Sequence, residues 1–270
     1  MPADPHIYAS KRLAHSYANY RPPIHKLVCE RMATEIPWNR PFDSVLDVGC
    51  GAGSSTAALL PIAKSVHGID PYKEMIDAAK KAVPGASFAC GQVERIPFGS
   101  GCFQLVTAAG CLNYADTEAA LLEIDRVLDP TGHLAVYDFS AGKSIPNDPQ
   151  LSEQFSLFRQ HFPSPLGYAL NIEKLPYRKA NLELTLYLEF DVEISMSGTE
   201  YIQYLLGDAG VETAVRGGAS VAASEGLCSA IFNSVFENSR RNVIFSVQLA
   251  IARKYNSASA RDDEVGKPIA

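Results

Sequence analysis

The chain has 270 residues, 47% of them hydrophobic and 20% charged, with 24 Lys and Arg against 30 Asp and Glu. That apolar share supports a buried core and excludes an intrinsically disordered chain. A net charge of -6 without any basic run disfavours a surface that tracks nucleic-acid phosphates. No stretch reaches the roughly 18 to 20 apolar residues of a membrane span. The expected partner is therefore a small molecule, with no nucleic acid and no membrane.

The opening MPADPHIYASKRLAHS carries charges where a secretion signal needs its apolar region. A cytoplasmic protein is the expectation. Cys29, Cys50, Cys90, Cys102, Cys111 and Cys228 form no C-x-x-C pair and read as reduced core thiols. His6, His15, His25, His67 and His133 lack ligand spacing, so no metal site is expected.

In chain order, residues 1–23 are polar, aromatic and punctuated by proline. Ile24, Leu27, Val28, Met32 and Ile36 then recur at helical spacing, and 38–43 reads as a loop. From Ser44 strands and helices alternate. Strands are expected at 45–48, 65–70, 86–90, 103–109 and 134–139. Helices are expected at 55–62, around Met75 to Val83, and around Leu121 to Leu128, the last ended by Pro130 to Gly132. That alternation implies parallel βαβ units in an open, doubly wound sheet. After Ser140 the rhythm breaks: residues 141–180 hold five prolines and one expected helix at 151–162. A long strand at 182–196, helices at 199–206 and 225–237, and a strand at 243–252 follow. The polar tail from Asn256 is expected to fray.

The most informative segment runs Val45-Leu46-Asp47-Val48-Gly49-Cys50-Gly51-Ala52-Gly53-Ser54-Ser55. An apolar strand enters a turn with three alternating glycines, and a helix follows. Glycine permits positive φ and close approach of a ligand to the backbone, and the helix start offers exposed N–H groups. A dinucleotide turn wants G-x-G-x-x-G/A. Here the third glycine comes one place early, which disfavours a nicotinamide oxidoreductase.

This segment resembles the first motif of class I S-adenosylmethionine-dependent methyltransferases. The resemblance continues through Ile69-Asp70-Pro71-Tyr72-Lys73-Glu74-Met75-Ile76 and Gly91-Gln92-Val93-Glu94-Arg95-Ile96-Pro97-Phe98. It extends through the block Leu105 to Asp116 and through Arg126-Val127-Leu128-Asp129-Pro130-Thr131-Gly132. Five blocks in the right order cover about residues 44–140. The stretch Ala14 to Pro22 also looks like the start of trans-aconitate methyltransferase-like, methyltransferase type 11 members, which act on small molecules and carry a helical cap. The resemblance implies a Rossmann-like α/β sheet of about seven strands with a helical cap inserted after the fifth. The implied division is a lid and core over 1–140, a cap over 141–181, completing strands and helices over 182–255, and a tail over 256–270.

By the same resemblance S-adenosyl-L-methionine is the cofactor and S-adenosyl-L-homocysteine the product. Asp70 would accept hydrogen bonds from two ribose hydroxyls; as a helix N-cap before Pro71 it has a plainer reading. Asp47, with Gly49, Gly51 and Gly53, would shape the turn and approach the methionine portion. Gln92, Val93 and Glu94 would cradle adenine, although many relatives carry Asp at the first of these. Met75 would pack on adenine or ribose, and Ala109 and Gly110 would pass close to the sulfonium. Tyr17 and Arg21 would fold over the cofactor, with Arg21 reaching the methionine carboxylate. Tyr20, Asn113, Tyr114, Asp138, His161 and Tyr168 are the expected substrate pocket. Relatives often have His-Trp where this chain has Asn113-Tyr114.

The implied activity is methyl transfer to oxygen, nitrogen or carbon of a small acceptor, of a kind found in specialised metabolism. A protein that binds the cofactor but catalyses a reaction such as cyclisation is the alternative. No general base is singled out among His161, Tyr168, Tyr114 and Asp138, and monomer and homodimer both remain open.

Overall fold

The computed structural model describes residues 5–36, 41–164, 170–237 and 239–255. It contains one seven-stranded sheet in the order β3-β2-β1-β4-β5-β7-β6. The strands are β1 (Phe42–Val48), β2 (Ala63–Asp70), β3 (Ser87–Cys90), β4 (Phe103–Ala109), β5 (Leu128–Phe139), β6 (Leu182–Met196) and β7 (Arg241–Lys254). The first five pair in parallel, and β7 runs antiparallel to both β5 and β6. The helices are α1 (Lys11–Tyr20), α2 (Ile24–Glu35), α3 (Ser54–Leu59), α4 (Lys73–Ala82) and α5 (Thr117–Val127). They continue as α6 (Gln150–His161), α7 (Gly198–Leu206), α8 (Ala209–Arg216) and α9 (Val221–Phe236).

Side chains alternate along each strand, so neighbouring residues serve opposite faces. Val45, Leu105 and Tyr137 join α2, α6, α7 and α9 on one side. Leu46, Val48, Val106, Leu134 and Val136 pack on the other side against α5 and the turns around Ile172 and Tyr177. The middle strands are covered on both faces, which is why they read as continuous apolar runs. From β1 the chain winds outward to β2 and β3, then returns to β4 on the other side of β1. Such a reversal opens a crevice beyond the strands' C-terminal ends, the usual ligand position in open α/β sheets.

Several local readings need correction. Residues 11–20 are helical, with Ser10 capping through the Leu13 N–H at 3.2 Å and Leu13, Ala14, Tyr17 and Ala18 packed on one face. Leu128 has left the helix for extended backbone and pairs with Phe103, so β5 begins six residues early. Its register slips between Phe103 and Leu105, an irregularity that accommodates Pro130 without a missing ladder donor. Helix α8 was not expected; Asp208 starts it by accepting the Gly210 N–H. Helix α9 begins at Val221, capped by Ser220, rather than at Glu225. The expected fraying tail at 256–270 lies outside the described residues.

Helix α6 does not stand apart from the main body. Its Leu151, Phe155 and Phe158 share a core with Tyr201, Phe232 and Val243. Among the described residues no helix is long and apolar enough to cross a membrane. Cys29, Cys50 and Cys228 are buried thiols, but Cys90 and Cys102 are exposed rather than core residues.

Candidate active site

The glycine turn lies in the crevice between β1 and β4. Gly49, Gly51 and Gly53 have φ of +64°, +53° and +94°. At Gly49 a Cβ would lie 2.4 Å from Cys111 Cβ, so the turn and the end of β4 touch there. At Gly51 the nearest atom to a built Cβ is Tyr17 Cδ1 at 3.9 Å, so the backbone faces open space. The Gly51 N–H donates to Asp70 Oδ2 at 3.0 Å, and the Tyr72 N–H donates to Asp70 Oδ1 at 2.9 Å. Each carboxylate oxygen is thereby aimed by one backbone donor and keeps further accepting capacity. Burial raises the Asp70 pKa to about 6, against the pull of those two N–H groups.

The cavity at this point encloses about 310 Å³. Twelve expected cofactor residues line it: Tyr17, Arg21, Gly49, Gly51, Asp70, Pro71, Met75, Gln92, Val93, Glu94, Ala109 and Gly110. Asp47 does not. It is fully buried and accepts from Ser55 Oγ at 2.6 Å, Thr56 Oγ1 at 2.7 Å and Thr107 Oγ1 at 2.9 Å. Its carboxylate is spent on tying α3 and β4 to β1. Gly53 is also outside, at the cap position of α3, where a built Cβ would lie 3.0 Å from Val83 Cγ2. Pro71 is not the first helical residue, because α4 starts at Lys73 with Tyr72 at its cap position. Glu94 lines the cavity, while its Oε1 accepts the Asp116 N–H at 3.0 Å.

Of the expected substrate residues, Tyr114 and Asp138 line the cavity and Asn113 does not. Tyr20 is 40% exposed at the end of α1, where its ring meets His15. His161 is exposed at the last position of α6. Tyr168 lies outside the described residues.

Residues from distant segments complete the walls. Tyr8 hydrogen-bonds Tyr114 through their hydroxyls at 2.8 Å, which joins the N-terminal segment to the turn after β4. His25 Nδ1 lies 2.9 Å from the Tyr137 hydroxyl, and burial pushes the imidazole pKa down to about 3. Arg159 grips Asp208 with two 2.8 Å bonds. The Arg21 guanidinium sits 3.9 Å above the Tyr17 ring and 5.5 Å from that of Tyr204. No local pattern announces Tyr204, Asp208 or Arg159, because their approach depends on how α6, α7 and α8 pack.

Helix α1 is bolted over the cavity. Ser54 Oγ donates to Tyr17 O at 3.2 Å, Arg12 Nη1 donates to Leu206 O at 2.9 Å, and Arg12 pairs with Glu212. Glu212 is only 3% exposed, so Arg12→Met would strand a buried charge. Amide exchange over residues 11–20 should then accelerate by about tenfold or more, with exchange in β1 to β5 unchanged. Equal protection in both proteins would show that the ion pair does not hold the helix.

A profile for the methyltransferase domain matches residues 46–136, which contain the glycine turn, Asp70 and the end of β4. Residues 46–136 are thus similar to the methyltransferase domain family. A demethylmenaquinone methyltransferase of Beutenbergia cavernae is 32% identical over 133 residues, 49% of this chain and 54% of that one. An uncharacterised methyltransferase of Bacillus subtilis, YcgJ, is 33% identical over 115 residues, 40% of this chain and 44% of that one. The chain thus spans about half the length of the curated relatives it matches. The solved YcgJ structure superposes with a TM-score of 0.53 at 21% identity, over 85% of this chain and 98% of that one. The [4+2]-cyclase SpnF superposes with a TM-score of 0.52 at 19% identity, over 85% and 80%. The methyltransferase fold is therefore shared by proteins with different reactions.

Proposed function

We propose that this protein is an S-adenosylmethionine-dependent methyltransferase acting on a small-molecule acceptor. The observation that carries the reading is Asp70. Both its oxygens are aimed by backbone N–H groups toward a cavity whose glycine turn leaves open space in front of Gly51. That donor set fits an adenosyl group: Asp70 would hold the ribose hydroxyls, Met75 and Val93 would flank the adenine, and Arg21 would face the methionine carboxylate.

When bound, S-adenosylmethionine supplies an activated methyl group, so alignment and exclusion of water fall to the protein. Ala109 and Gly110 leave room at the end of β4, where a larger side chain would obstruct the reacting centre. Tyr8, Tyr17 and Tyr114 cover the cavity from the solvent side. Burial holds the thiols of Cys50 and Cys111 protonated, so neither presents a thiolate to the methyl donor.

Calorimetric titration with S-adenosylmethionine, S-adenosylhomocysteine and NADH tests the assignment. Micromolar binding of the two adenosyl ligands and no heat from NADH is the expected result. Silence from both, with protein freed of carried-over ligand, would refute it.

A further inference from the structure

Asp138 is the penultimate residue of β5 and lines the cavity beside Gly110. Its Oδ1 accepts the Phe139 N–H at 2.8 Å. Among the described residues no other hydrogen bond and no ion pair reaches this carboxylate. Gly110 stands against it, with φ of +58°, and a Cβ there would lie 3.2 Å from Oδ1. Arg21 favours the ionised form from a distance, opposing the upward pull of burial. The neighbouring polar groups are committed elsewhere: His25 to Tyr137, and Arg159 to Asp208. Phe139, Ala141, Leu205 and Ala209 supply apolar wall around them. Asp138 Oδ2 is thus an accepting atom left for a ligand, next to the strand end where methyl transfer is placed.

We propose that Asp138 is the proton acceptor of the reaction and that the methyl acceptor is a neutral hydroxyl compound with an apolar body. The proposal rests on the methyl-transfer reading above. The hydroxyl oxygen forms the new C–O bond as the methyl carbon separates from sulfur, which keeps the bonding pair and leaves as a neutral thioether. The O–H proton passes to Asp138, whose carboxylate becomes a carboxylic acid. An oxygen that carries a carbon substituent, a methyl group and a proton is far more acidic than a carboxylic acid, so the transfer runs downhill. An amine acceptor has no use for this group. Its product is an ammonium with a pKa near that of Lys, roughly 10, which a carboxylate does not deprotonate. A cationic amine would also meet Arg21.

The test uses the full chain with S-adenosylmethionine and three probes: 2-naphthol, the alkylamine 2-naphthylmethylamine, and 4-nitrophenol at a pH where it is already the phenolate. Methyl ethers are expected by mass, and no methylated amine. Asp138→Asn should lower kcat for 2-naphthol by about 100-fold or more, the range for loss of a general base. Turnover of the phenolate, which has no proton to lose, should fall by less than about fivefold. Affinity for S-adenosylhomocysteine should hold in the variant, which also shows that it folds.

Equal losses on 2-naphthol and the phenolate would overturn the proton-acceptor role. Weaker binding of S-adenosylmethionine but not of the thioether would instead place Asp138 at the sulfonium, which also overturns it. Methylation of 2-naphthylmethylamine in place of the phenols would overturn the hydroxyl class. So would a set of phenols and aliphatic alcohols that all stay unreacted on protein that binds S-adenosylhomocysteine. Failure to bind S-adenosylhomocysteine at all would refute the methyl-transfer reading, and this proposal with it.

Discussion

Asp70→Asn should bind S-adenosylhomocysteine about 100-fold more weakly than the parent protein, a loss of about 3 kcal/mol from two charge-assisted hydrogen bonds. The amide keeps the side chain's shape but turns one accepting oxygen into a donor that faces a backbone N–H. The same residue sets a pH dependence. Burial holds its pKa at about 6 in the ligand-free protein. Below that pH the free site carries a proton that ribose binding must displace, so affinity should fall about tenfold per pH unit, and it should be flat above about pH 7. The step should vanish in Asp70→Asn. Calorimetry between pH 5 and 8 on both proteins checks both statements, and a wild-type affinity that is level across that range would remove Asp70 from the binding site.

The sign for stability is opposite. A carboxyl whose folded pKa lies above its unfolded value of 3.8 stabilises the fold fully below that value, and the contribution is lost as pH rises through about 6. At neutral pH the buried charge costs the ligand-free protein about 3 kcal/mol. Ligand hydroxyls that hydrogen-bond the carboxylate offset this cost. The apo protein should therefore gain thermal stability on ligand addition more strongly at pH 7.5 than at pH 5.

Asp47→Ala should have the largest effect on stability. Three hydroxyls converge on a carboxylate with no exposed surface, and removing it orphans all of them inside the sheet. Loss of such a buried network costs about 3 to 5 kcal/mol, which for a chain of this size lowers Tm by about 10 °C. Asp47→Asn should cost much less, because the amide oxygen still accepts and the hydroxyls can rotate to accept from its nitrogen. Thermal unfolding of both variants decides the matter. An Ala variant that melts within about 2 °C of the parent would show the network to be dispensable.

The contrast between Asp47 and Asp70 also marks the limit of what the sequence reveals. Both acids flank the glycine turn and look alike as letters. Asp70 ends its strand at the crevice, whereas Asp47, one residue before the end of β1, has a hydroxyl on β4 opposite it, and only the pairing of Asp47 with Thr107 reveals that. The strands were legible because each apolar run is bounded by glycine, proline or charge, and four of the five ordered blocks contribute residues that line the cavity. The acceptor half was not legible. Tyr20 and His161 were plausible by composition, yet both end on solvent-facing helix termini. Tyr8, His25, Tyr204 and Asp208 meet there from segments up to about 200 positions apart, and no local pattern encodes that meeting.

The placement of β7 bears on how the two halves come into being. The last strand in sequence lies between β5 and β6, and it pairs with residues more than 100 positions earlier. The half of the cavity around the glycine turn is built from successive βαβ units whose contacts are short in sequence, so it can assemble early. Arg159 and Tyr204 lie on α6 and α7 and Asp208 caps α8, and all three helices rest on a core including Phe245, Val247 and Leu249 of β7. That core forms only after a long loop has closed, the slow class of folding event. The cavity wall formed by Arg159, Tyr204 and Asp208 should accordingly be the last to take shape, and the first to loosen when β7 is weakened.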